Sequence, residues 1–179
     1  MAEPTASRAL IVRGLIRALV SAFVLVALYF LLPLDGLRIP ELLVAVSVPL
    51  ILIAVSAWQI SAIVRARYPG VRAIEALAIV APLYLLLFAA GYFLMATTAP
   101  ASFSEPSLSR IDTLYFAVTI FATVGFGDIS AVTETARLFV TWQMILNLVL
   151  LGAGIRLLTF AVRRGRASRG AETGITPVE

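Results

Sequence analysis

The chain has 179 residues, 61% of them hydrophobic and 13% charged, with a mean hydropathy of +1.01. Soluble domains are roughly 45–50% apolar and about 25% charged, so a globule of this size cannot hide so much apolar surface, and lipid must be its solvent. Cys and His are both absent, which excludes disulfides, thiolate or imidazole metal centres, and Cys–His or Ser–His–Asp nucleophiles.

A helix needs about 20 apolar residues to cross about 30 Å of hydrocarbon, and four segments reach that length. The first runs from Leu15 to Leu34, with Arg17 close enough to its end to snorkel. Arg8 and Arg13 before it give the segment the look of a signal peptide. Its core is longer than a typical h-region, however, and Leu34-Asp35-Gly36 follows in place of a small-x-small cleavage site, so a retained helix is predicted. The second span, Leu42–Val64, is uncharged. The third extends from about Ile74 to Thr98, and the fourth from Leu138 to about Val162, interrupted only by Arg156. Pro49 and Pro82 are placed to kink the second and third spans, while Trp58 and Tyr68 read as interfacial aromatics. Met1–Ser7 and Ala167–Glu179 read as disordered tails, and the stretch after Val162 is too short to bury a core.

The +4 formal charge comes wholly from Arg, since the chain has no Lys. Arg8, Arg13 and Arg17 precede the first span; Arg65, Arg67 and Arg72 join the second and third; Arg163, Arg164, Arg166 and Arg169 follow the fourth. The opposite side carries Arg38, Arg110 and Arg137 against Asp35, Glu41, Glu105, Asp112, Asp128 and Glu134. By the positive-inside rule both termini are cytoplasmic in a plasma membrane, with the acidic loops outside. The high pI, about 10.1, is thus a signal of topology, and no nucleic-acid partner is expected. Nor is a voltage sensor, because Arg65, Arg67 and Arg72 lack every-third-residue spacing within a span.

Between the third and fourth spans, Ser109 and Asp112 have the spacing of a capping box, with Asp in place of Glu. A helix from there to Ala122 would be about 20 Å long, too short to cross and too apolar for water. It reads as a re-entrant half-helix, tolerated at membrane depth only where protein or an aqueous cavity surrounds it. Thr123-Val124-Gly125-Phe126-Gly127-Asp128 follows directly. With this hexapeptide the region from about Ile74 to Val162 resembles the potassium channel pore-loop family, in which such a filter follows an aromatic-containing pore helix between two membrane helices.

The resemblance implies an all-α integral membrane fold with four transmembrane helices and a tetrameric pore. Residues 1–14 and 164–179 would be cytoplasmic tails, 15–72 two peripheral helices, and 73–163 the pore domain. Potassium would bind at Thr123, Val124, Gly125 and Phe126, with Gly127 completing the filter and Asp128, Thr119, Tyr115 and Phe116 supporting it. The physical reading agrees: carbonyl oxygens must replace the ion's lost water, and Gly125 and Gly127 sit where left-handed backbone costs little. Val124 and Phe126 would then point outward, and the half-helix would aim its partially negative end at the cavity. One loop makes one wall, so a homotetramer is implied.

Several positions depart from the commonest pattern of that family. Ala122 replaces a second Thr, and Phe126 replaces Tyr. Thr119 stands where some bacterial members carry a Glu paired to the filter Asp, and Ser130 where members that bind external tetraethylammonium tightly carry an aromatic. An ungapped match puts Asn147 at the usual hinge glycine. As the only strongly polar side chain in the middle of its span, it is expected to line the cavity, the alternative being an interhelical hydrogen bond. Gly152 and Gly154 could supply a bend or close packing. Arg156 reads as a snorkelling anchor, or else as a ring at the inner mouth.

The expected function is passive potassium conduction, with the lipid bilayer and K+ as partners and no cofactor. The alternatives are a weakly selective monovalent cation channel and a non-conducting accessory subunit. A transporter would carry paired broken helices in repeated halves, and only one such loop is present. An enzyme would need carboxylate pairs, metal ligands or an activated nucleophile within a span.

Overall fold

The computed structural model describes residues 4–65 and 69–172. Five helices account for most of them: α1 (Pro4–Leu31), α2 (Glu41–Val64), α3 (Pro69–Thr98), α4 (Arg110–Phe121) and α5 (Glu134–Glu172). Short 3-10 turns occupy Leu34–Gly36 and Pro100–Ser102. The only strand-like pairing among the described residues is a bridge between Phe103 and Ala131.

The helix ends follow local chemistry. Pro40 offers its carbonyl to the Leu43 and Val44 amides, and Glu41 puts a carboxylate in the first turn of α2. Pro69 opens α3, where its missing N–H costs nothing, and Pro100 follows soon after its end. Pro49 and Pro82 lie inside α2 and α3 without ending either helix.

Three segments are long and apolar enough to cross a membrane: Glu41–Gln59, Ala78–Thr98 and Glu134–Arg156. In α1 the apolar stretch among the described residues is the shorter Leu19–Leu31. This all-helical arrangement fits a membrane channel.

Several boundaries differ from the sequence expectation. Helix α1 already begins at Pro4 and ends at Leu31, α3 begins at Pro69 rather than Ile74, and α5 begins at Glu134 and continues to Glu172. Two stretches expected to be disordered are therefore partly helical, because α1 and α5 propagate from their apolar segments at low cost per added residue. Residues 1–3 and 173–179 of those tails, together with Arg67 and Tyr68, lie outside the described residues. So do the side chains of Arg8, Arg13, Arg17, Arg72, Arg163, Arg164, Arg166 and Arg169. Trp58 is exposed on α2.

Helix α3 is the hub. Helices α1, α2, α4 and α5 all pack on it, and α2 also meets α5. Lipid tails are as apolar as Leu, so helices here are held by close packing and hydrogen bonds rather than by escape from water. Both are visible at α3. At Gly91 a Cβ would lie 2.4 Å from the fully buried Phe139 ring of α5, so only glycine admits that approach. Around it Phe88, Tyr92, Phe103, Phe116 and Phe139 form a buried aromatic cluster with neighbouring centroids 4.9–6.3 Å apart. Such ring pairs contribute about 0.5–1.5 kcal/mol each. The cluster seats α4, and with it the segment that follows.

Candidate ion-conducting site

The capping box at the start of α4 is formed. The Asp112 amide donates to Ser109 Oγ at 3.2 Å, and the Ser109 amide donates to Asp112 Oδ2 at 2.8 Å. Ser109 acting on the carboxyl, through its side chain first and then its backbone amide, holds Asp112 below its ordinary pKa. At the other end the helix unwinds tightly. Ala122 N–H reaches Val118 O at 2.8 Å, Thr123 N–H reaches Ile120 O at 3.1 Å, and Val124 N–H reaches Thr119 O at 3.0 Å.

Beyond this point the backbone alternates. Thr123, Gly125 and Gly127 have φ of 56°, 55° and 81°, and neither Val124 nor Phe126 between them has a positive φ. Left-handed glycines were expected at Gly125 and Gly127; Thr123 joins them. A β-branched residue is a rare occupant of that region, and such strain costs on the order of 1–3 kcal/mol. Nothing lies within 4 Å of where a Cβ would stand on Gly125 or Gly127, so the backbone angle alone demands glycine at these two positions.

Val124 and Phe126 are 53% and 69% exposed. The Phe126 ring stacks on Tyr115, with centroids 6.3 Å apart and planes 7° from parallel. Tyr115 also lines one recess with Asp128, so this aromatic of α4 flanks the segment at both positions. Phe116, one residue on, turns the other way into the core against Tyr92 at 4.9 Å. Thr119 is buried, and its hydroxyl returns to Phe116 O at 2.8 Å.

Asn147 corrects the sequence expectation. It does not line a cavity. It is 3% exposed, and its Nδ2 donates to Phe121 O at 2.9 Å and Ile120 O at 3.4 Å. Its Oδ1 is buried without a hydrogen-bond partner in the chain. The reason is one turn away, in a residue overlooked in the sequence. Gln143 is fully buried on the same face of α5, donating from Nε2 to Ala117 O at 2.9 Å and accepting from the Tyr92 hydroxyl at 2.5 Å. The Tyr84 hydroxyl adds a bond to Gln143 O at 2.6 Å. Two amides at i and i+4 thus clamp the carbonyl end of α4, and that spacing is the signal that could have exposed the pair.

Gly152 and Gly154 lie further along an uninterrupted α5, with nothing within 4 Å of either Cβ position. Neither marks a break in the helix or a close contact within the chain. Arg156 is exposed at the end of the third apolar segment.

The chain leaving the site is pinned from outside. Ser104 N–H donates to Ser130 O at 2.9 Å, Ser130 N–H to Ser104 Oγ at 3.0 Å, and Val132 N–H to Ser102 O at 2.8 Å. Glu105, Asp112 and Asp128 line one outer recess of about 320 Å³ together with Tyr115. No group of three metal-ligating side chains occurs among the described residues.

Residues 79–164, from within α3 to within α5, match a family model described as ion channel. Comparison with curated proteins and with solved structures gives no match. The family match indicates an ion channel and a membrane protein, and it covers α4, the alternating segment and the crossing parts of α3 and α5.

Proposed function

We propose that four copies of this chain enclose a potassium-selective pore in which the carbonyls of Thr123, Val124, Gly125 and Phe126 replace the water around the ion. The observation that carries this reading is the alternation of φ at Thr123, Gly125 and Gly127. An ordinary strand sends successive side chains and carbonyls to opposite sides. Alternating handedness brings successive carbonyls to one side, as a row of oxygens along an axis requires. A single row is one wall, and a four-fold ring closes it. The exposure of Val124 and Phe126 on the isolated chain leaves room for neighbouring subunits.

Helix α1 is the fourth crossing in this reading, and the arginine distribution puts both termini on the cytoplasmic side of the plasma membrane. The carbonyl end of α4 faces the cavity with its partial negative charge softened, because the amides of Gln143 and Asn147 already engage three of its carbonyls.

The test is flux from purified protein in liposomes with potassium and sodium exchanged. The expected reversal potential follows the potassium gradient. Gly125→Ala should silence that flux while the tetramer stays intact by native mass measurement, since a Cβ there meets no neighbour and strains only the backbone. Equal passage of sodium would favour the weakly selective channel, and a folded, silent wild-type tetramer the accessory subunit.

A further inference from the structure

Two side-chain anchors join the N-terminal helices to the segment on either side of the filter, and ordinary helix packing against α3 requires neither. The first is reciprocal. Tyr29, in the last turn of α1, is buried, and its hydroxyl donates to Arg110 O at 2.8 Å and lies 2.9 Å from Thr113 Oγ1. Arg110, the first residue of α4, returns Nη1 to Tyr29 O at 2.7 Å and Phe30 O at 3.1 Å. Its guanidinium also sits 5.2 Å from the centroid of the Phe93 ring. The last carbonyls of α1, which have no partner within their own helix, are thus closed by the residue that begins α4.

The second anchor lies on the exit side. Glu41 Oε1, at the start of α2, accepts from the fully buried Ser102 hydroxyl at 2.6 Å. The carbonyl of Ser102 holds the Val132 amide, and Ser104 holds Ser130.

From this geometry we infer that α1 and α2 set the filter: Tyr29 and Ser102 are positioning residues that fix the two ends of the segment Arg110–Val132. The inference rests on the pore reading above and adds to it a function for the peripheral helices. A displacement of α1 or α2 reaches the filter through hydrogen bonds at its entrance and exit. Buried polar links of this kind transmit position because breaking one leaves an unsatisfied group in a low-dielectric setting.

The experiment compares wild type, Tyr29→Phe, Ser102→Ala and Leu52→Ala in liposomes at low and high outer potassium. Tyr29→Phe removes one hydroxyl and Ser102→Ala another. Leu52→Ala removes apolar packing from α2 without touching either anchor. An ion seated in the intact filter stabilises it by mass action. Tyr29→Phe and Ser102→Ala should therefore lose conduction about fivefold faster than wild type at low outer potassium, the effect of one buried hydrogen bond, and recover at high outer potassium. Leu52→Ala should lower the melting temperature with no such potassium dependence. If all three variants melt earlier while decay and selectivity match wild type at both potassium levels, the anchors are merely structural and the inference fails. If wild type itself carries no potassium flux, the pore reading fails, and this inference with it.

Discussion

At the scale of single residues, the left-handed positions were the most legible part of the site. Glycine spacing within Thr123–Gly127 foretold two of the three positive φ values, because glycine alone occupies that region freely. The strained Thr123 was not legible, since nothing in a β-branched residue marks a positive φ. Asn147 was misread for a related reason: a polar residue within a span finds either water or a carbonyl, and the sequence does not say where the α4 carbonyls lie. Its true position yields a prediction. Asn147→Ala leaves the Phe121 carbonyl without its donor and should destabilise the protein by about 1–3 kcal/mol. Block by internal polyamines should be unchanged, as the side chain does not reach a cavity. Thermal melts and a block titration check both halves.

At the scale of elements, the half-helix was legible from Ser109 to its end because its cap is local, whereas its seating was not. The seat is made by Tyr92, Phe103 and Phe139 from distant parts of the chain, and no spacing rule connects them to Phe116. The α3–α5 contact at Gly91 is equally silent in sequence. Gly91→Ala should cost about 1–3 kcal/mol through overpacking on Phe139, and Phe139→Leu introduced with it should recover part of that loss. Melting curves of the two singles and the double isolate the coupling. The cap of α4 has a pH signature. Since the folded pKa of Asp112 is depressed, its contribution is fully present above the ordinary value of 3.8 and is lost as pH falls through the lower folded value. Acid should therefore fray the start of α4 in wild type, whereas Asp112→Asn should be insensitive over the same window, as read by hydrogen exchange at residues 110–113.

At the scale of the whole molecule, composition alone disclosed a membrane protein, and charge placement supplied an orientation. What it left out was the extent of α1 and α5, which helix propagation sets, and the tertiary hydrogen bonds that the first two helices make. Four-fold assembly would bring four copies of residue 130 around one mouth. The Ser130 backbone is tied to Ser104, so a change of side chain leaves that strand in register. Wild type, with no π face at this position, should bind external tetraethylammonium weakly. Ser130→Tyr should create block through four rings with selectivity unchanged, measured as dose–response in symmetrical potassium. The Tyr29–Arg110 clasp also has a consequence for biogenesis. Its partners are 81 residues apart, which at 5–20 residues per second means a delay of roughly 4–16 s during synthesis. Through that interval the Tyr29 hydroxyl and the closing carbonyls of α1 lack the partners that later close them. The pore segment is thus the late arrival, docking onto a surface that the ribosome has already delivered.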